Sequence, residues 1–191
     1  MFESHKITLA SASPRRRELL AGLDIKFTVE PNKDEKEAYR EDMPHDRIPE
    51  FLARHKSETF HRPLEKGEIL ITADTLVFLD GEVIGKPSDR ADAERILRKL
   101  SGRTHTVITG ACLRTISSTV SFSDTTEVTF KKLSEDEITY YLDTYRPYDK
   151  AGAYGVQEWI GYIAIKGIRG SFFNVMGLPV QPLYEELRKI D

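Results

Sequence analysis

The chain has 191 residues, of which 39% are hydrophobic and 31% charged, and a formal net charge of −3 at pH 7. This length and composition exclude a disordered chain and fit one ordinary globular domain, or two fused lobes sharing a sheet. The slightly negative charge gives no general reason to bind nucleic acid or an anionic membrane, so any affinity for phosphate must come from locally concentrated cations.

In chain order, Ile7–Ala10 reads as a short buried strand, followed by Ser11-Ala12-Ser13-Pro14 and a helix over Arg15–Ala21. Ser13 and Pro14 suit the N-cap and first helical position, and Gly22 stops the helix. A second strand is expected at Ile25–Val29, a polar surface loop over Glu30–Asp46, and a helix at Pro49–Phe60. Ile69–Leu79 is apolar with Asp74 and Thr75 inside it, and Asp80-Gly81 predicts a tight hairpin turn to Val83–Ile84. Ser88 is expected to cap a helix whose Ala93, Ile96, Leu97 and Leu100 form one apolar stripe ending at Ser101-Gly102. Thr104–Arg114 and Thr119–Phe130 read as long strands, rich in β-branched residues.

Ser134 to Glu137 has capping-box spacing and opens a helix through Asp143. Asp149–Ile160 reads as a loop, Tyr162–Ile168 with Ser171–Met176 as a hairpin, and Pro179–Leu187 as the closing helix. The expected class is α/β, a mixed sheet flanked by helices, in a single domain over residues 1–191. Cys112, the one cysteine, excludes an intrachain disulfide and sits in an apolar run as buried structure. No segment approaches membrane-spanning length and the N-terminus lacks a signal-peptide pattern, so a cytoplasmic location without membrane or nucleic-acid partners is expected.

Four segments carry candidate chemistry, each with two readings. Ser11–Arg17 places three consecutive arginines at a helix start, where unpaired N–H groups and the helix dipole suit phosphate. Otherwise Ser13 is only a cap and the arginines a solvated face. Asp74, breaking an apolar strand, needs pairing, hydrogen bonds or a metal if it is buried; it could ligate Mg²⁺ or Mn²⁺ or take a proton from water. The alternative is a surface carboxylate at a strand end.

Gly85-Lys86-Pro87 offers a point charge for polyphosphate or is a turn with an exposed lysine, and it lacks the Gly-rich spacing of a Walker loop. Asp149–Gln157 brings Gly152 and Gly155 into a loop in which Lys150 adds a cation and Gln157 can read a base edge. Alternatively, it is a glycine-rich connection with Tyr154 in the core. The acidic run Glu30, Asp34, Glu35, Glu37 offers a second carboxylate for a metal or is simply solvated, whereas Trp159, Phe172 and Phe173 read as core.

Taken together, Ser11–Leu20, Ala73–Thr75, Gly85–Pro87, Leu100–His105, Asp149–Gln157 and Gly177–Pro179 resemble, in order, the motifs of the Maf-like nucleoside triphosphate pyrophosphatases. The resemblance spans almost the whole chain. It implies an α/β fold with a deep nucleotide-binding groove, a homodimer, a divalent cation (Mg²⁺ or Mn²⁺), and release of pyrophosphate and a nucleoside monophosphate.

By motif position, the resemblance makes Asp74 the proton acceptor, Ser11, Arg15, Arg16, Lys56 and Lys86 phosphate-binding, and Glu35 an acidic residue near the metal beside Asp74. Asp34 and Glu37 are alternatives to Glu35. Arg54-His55 precedes Lys56 where the family usually shows a Glu before the lysine. Arg15, Thr75 and Gln157 are similar to the branch acting on dTTP and UTP, and they differ from the Trp, Gln and Glu of the 7-methyl-GTP branch. Modified pyrimidine nucleotides are further substrates of that reading. The rivals are a nucleotide-sensing regulator of septum formation and a purine-type house-cleaning pyrophosphatase.

Overall fold

The computed structural model describes residues 5–32, 39–40 and 42–190. Its first elements are strand β1 (Lys6–Leu9), helix α1 (Pro14–Ala21), β2 (Phe27–Val29), α2 (Ile48–Glu58), β3 (Glu68–Leu79) and β4 (Glu82–Ile84). Then follow α3 (Arg90–Leu100), β5 (Thr104–Arg114), β6 (Thr119–Phe130), α4 (Glu135–Tyr145), α5 (Trp159–Ala164), β7 (Ile165–Arg169), α6 (Phe172–Met176) and α7 (Val180–Ile190). The strands form one sheet in the order β2-β1-β3-β5-β6-β7, with β4 paired to β3.

The sheet is mixed, as the sequence predicts. β1 runs parallel to both β2 and β3, each reached through a helix, whereas β3–β4 and β6–β7 are antiparallel. The β3–β4 hairpin closes through Asp80 and Gly81, both at positive φ (51° and 78°), the backbone that a two-residue type I′ turn demands.

The chain divides into two compact units. The first comprises Met1–Thr75, Thr109–Asp124 and Gly177–Asp191, and the second Leu76–Ile108 and Thr125–Met176. In the first, Ile7, Leu9, Leu20, Leu52, Ile69, Ile71, Leu183 and Leu187 are buried. Here Glu68, at the start of β3, is buried and accepts from Arg62 (2.7 and 2.9 Å), Thr8 (2.6 Å) and the Glu65 amide (2.8 Å). Those Arg62 bonds, ahead of the smaller effects, hold its carboxyl down to about 2. In the second unit Leu97, Leu100, Phe130, Ile138, Tyr141 and Ile160 make the core.

Four expectations need correction. Asp89, not Ser88, caps α3: its side chain accepts from the Asp92 amide, while the Ser88 amide donates to the Asp92 carboxylate. Within the expected loop Asp149–Ile160 the chain makes a 3-10 turn at Ala151–Ala153, and α5 begins at Trp159.

The expected hairpin over Tyr162–Met176 is a strand followed by a helix. Ser171 Oγ accepts from the Asn174 amide at 3.3 Å and starts α6. The Asn174 side chain then donates to Val107 O (3.1 Å) and Thr126 Oγ1 (3.0 Å), an anchor that α6 makes through a side chain where a strand would use its backbone. Phe172 and Phe173, expected in the core, are 39% and 49% exposed. Among the described residues no helix is long and apolar enough to cross a membrane.

Candidate functional site

In the first unit, β1 delivers the chain to a polar turn at the start of α1. Ser13 caps the helix with a long 3.5 Å contact from the Arg16 amide, Pro14 fills the first helical position, and the first turn holds no acidic residue to offset its arginines. Arg16 does not spread into solvent. Its guanidinium donates to Gly177 O (2.8 Å), Thr75 Oγ1 (3.2 Å) and Ser11 Oγ (3.4 Å). Ser11 is buried and also accepts from the Ser13 amide at 3.2 Å. Arg15 is half-buried and Arg17 exposed, so the reading of the arginines as one solvated face holds only for Arg17.

Asp74 is 4% exposed, in the body of β3, which sets aside a surface carboxylate at a strand end. Its Oδ1 accepts from Lys56 Nζ, delivered by the last turn of α2. Its Oδ2 is buried with no hydrogen-bond partner among the described residues. A carboxylate oxygen in that condition is costly unless something donates to it or a cation meets it.

Strand alternation sorts the neighbours of Asp74 and Thr75. Asp74, like Thr72, turns to α2, where Thr72 donates to Ala53 O at 2.6 Å. Thr75 turns to Arg16 and to Thr109, whose hydroxyl lies 3.0 Å away. Of the expected residues, Lys56 and Asp74 form one cluster and Ser11, Arg16 and Thr75 another, and the two meet at adjacent positions of one strand. Thr109 and the Gly177 carbonyl are additions. Gly177 lies in a quoted motif, whereas nothing in the spacing of Thr109 distinguished it from other strand threonines.

The second unit holds Lys86 and Gln157. Lys86 is exposed, and the carbonyl of its neighbour Gly85 accepts from the Gly152 amide at 3.1 Å. Gly152 needs to be glycine: its φ is 73°, and a Cβ there would meet Val77 at 3.1 Å and Tyr154 at 3.3 Å. Tyr154 is a core aromatic, edge-on to Phe130 and His105, with its hydroxyl 2.7 Å from His105 Nε2. Burial pushes the His105 imidazole down to about 4 and raises the Tyr154 phenol.

Lys150, expected to add a cation to this loop, is paired with Asp149 (2.7 Å) and Glu158 (3.2 Å). Gln157 is half-buried and its Oε1 has no partner among the described residues, a second orphaned acceptor. Cys112 is buried and its thiol is raised by burial. Glu35, with its alternatives Asp34 and Glu37, lies outside the described residues.

These features define an α/β protein with a mixed sheet, in which a buried carboxylate with one unpartnered oxygen stands next in sequence to the threonine that receives an arginine from a strand-to-helix turn. Residues 6–190 match the family model for Maf-like proteins, and the chain belongs to that family, as its motifs predict. It is 53% identical over 189 residues to a dTTP/UTP pyrophosphatase of Phocaeicola vulgatus, covering 99% of this chain and 98% of that protein. A dTTP/UTP pyrophosphatase of Bacteroides thetaiotaomicron is 52% identical with the same coverage, and one of Porphyromonas gingivalis 53% identical over 98% of this chain and 95% of its own. Among solved structures, a HAM1 protein from Coxiella burnetii aligns with a TM-score of 0.49 and 17% identity, over 97% of this chain and 99% of that one.

Proposed function

We propose that the chain is a nucleoside triphosphate pyrophosphatase that hydrolyses dTTP and UTP to the monophosphate and pyrophosphate. The observation that carries this reading is Asp74, buried, paired with Lys56 through one oxygen and without a partner at the other. It stands in a chain about half identical, over nearly its whole length, to relatives bearing that activity's name.

Asp74 Oδ2 accepts the proton of a water that attacks the α-phosphorus; the bond from that phosphorus to the bridging oxygen breaks, and pyrophosphate leaves with the electron pair. Lys56 compensates the carboxylate charge at Oδ1 and leaves the lone pairs of Oδ2 open toward both the water and a divalent ion. Ser11, Arg15 and Arg16 bind phosphate oxygens, Arg16 held ready by Gly177 and Thr75. Lys86 takes a phosphate role by its motif.

Arg15, Thr75 and Gln157 carry the pyrimidine preference by their motif positions. The orphaned Gln157 oxygen offers an acceptor to the imide N–H shared by uracil and thymine.

A divalent cation, Mg²⁺ or Mn²⁺, belongs to the same proposal. Among the described residues no group of three or more His, Cys, Asp and Glu side chains would hold a metal. The unpartnered Asp74 oxygen is a hard acceptor of the kind such an ion takes, one or two carboxylates completing a shell with substrate phosphates. Asp74 and Glu35 would hold the ion, which when bound neutralises charge on the triphosphate. A homodimer and a cytoplasmic location complete the reading, and light scattering on the purified chain tests the first.

Asp74→Asn keeps the volume of the side chain and removes the proton acceptor. Its UTP turnover should fall about a thousandfold with the circular dichroism spectrum unchanged. Turnover near that of the unmodified chain would remove Asp74 from this role.

A further inference from the structure

Gln157 is the third residue of a four-residue turn, Gly155–Glu158, closed by a bond from the Glu158 amide to Gly155 O at 3.0 Å. One side chain from α4 holds both ends of that turn. The Tyr141 hydroxyl accepts from the Gly155 amide at 2.9 Å and donates to Glu158 Oε2. Tyr141 is fully buried.

Glu158 stands at the N-cap position of α5, yet its side chain makes no cap bond to that helix. It folds back instead, so close to Gly155 that a Cβ there would meet its Cδ at 2.7 Å, and its other oxygen meets Lys150 Nζ at 3.2 Å. The carboxylate is therefore diverted from the helix it could cap to the turn that displays Gln157. The turn's product is a buried amide oxygen facing no protein donor among the described residues.

We infer that Tyr141 is a positioning residue for base recognition, its hydroxyl fixing the Gly155–Glu158 turn so that the Gln157 amide is presented in one orientation. This rests on the reading of Gln157 as the base-contacting residue under Proposed function. A glutamine side chain has three rotatable bonds, and a turn free to change its backbone would add further orientations. Fixing both ends of the turn limits that freedom before the nucleotide arrives, so its loss should weaken binding more than turnover.

The test is a double-mutant cycle on UTP hydrolysis with Tyr141→Phe, Gln157→Ala and the pair. Tyr141→Phe removes both bonds and keeps the ring. It should raise KM about tenfold, the worth of a hydrogen bond or two, with kcat within about twofold. In the Gln157→Ala background the same substitution should change KM by less than about twofold, because it acts through the amide already removed.

Equal effects of Tyr141→Phe in both backgrounds, or no rise in KM in the first, would overturn the inference. If Tyr141→Phe does not fold, Glu158→Ala, which frees one end of the turn, is read in the same cycle against the same outcomes. An unmodified chain that hydrolyses no UTP would overturn the proposed function and this inference together. Additive effects in a chain that does hydrolyse UTP overturn only the inference.

Discussion

At Asp74 the two carboxylate oxygens meet different surroundings, Oδ1 facing the Lys56 ammonium and Oδ2 facing no partner among the described residues. The sequence showed the interruption of an apolar strand, which marks a costly group but leaves its burial open. The asymmetry depends on α2 delivering Lys56 from 18 residues away, a distance at which spacing alone says nothing. His105 is the reverse case: it closes the motif Leu100–His105, and its structural role is a neutral imidazole bonded to Tyr154 in an aromatic core.

That role makes a pH prediction. The folded value near 4 lies below the ordinary 6.5, so the unfolded chain binds more protons than the folded one between those values. Stability should therefore fall as pH drops from about 6.5 to about 4, by roughly 3 kcal/mol from this group. Urea unfolding at pH 7 and pH 5 captures about 2 kcal/mol of that fall. The stability loss between the two should shrink in His105→Gln, and an unchanged loss would show that other groups carry it.

Among the elements, the long strands and the capped helices were readable because their signals are local. The β5 and β6 boundaries match runs rich in β-branched residues, and the α4 capping box sits where Ser134 and Glu137 place it. The Ser88 assignment missed by one residue because Asp89 and Ser88 are both good caps, and the Asp92 amide bonds only to the former.

Ser171–Met176 misled for a different reason. Its apolar run is too short for periodicity to separate strand from helix, and the choice is made by the Asn174 anchor to Val107 and Thr126.

Another fact invisible in the sequence is how closely β5 approaches α2. A Cβ at Gly110 would lie 2.2 Å from Pro49 O and 2.3 Å from the Glu50 amide nitrogen, backbone atoms that no rotamer change can move. Gly110→Ala should lower the unfolding free energy by about 3 kcal/mol or prevent folding, more than ordinary overpacking costs. A urea midpoint equal to that of the unmodified chain would show that α2 yields easily.

Across the whole molecule, the ordered motifs conveyed more than any one of them. Ser11–Arg17, Asp74-Thr75 and Gly177 converge within the first unit, joined by the Arg16 bonds to Thr75 and Gly177. Lys86 and the Gln157 turn belong to the second unit and are linked there through the Gly152–Gly85 hydrogen bond. The family model spans residues 6–190, and the relatives named dTTP/UTP pyrophosphatase align over nearly their full length. Residue chemistry alone reached an anion site. The scissile bond and the pyrimidine preference came with the family.

The most direct test is therefore pyrophosphate release by the purified chain with Mg²⁺, measured side by side on dTTP, UTP, ITP and 7-methyl-GTP at equal concentration. Release from dTTP and UTP should exceed that from the other two by at least about tenfold, the discrimination a few well-placed hydrogen bonds supply. Faster release from ITP or 7-methyl-GTP, or binding of UTP without any release, would contradict the account.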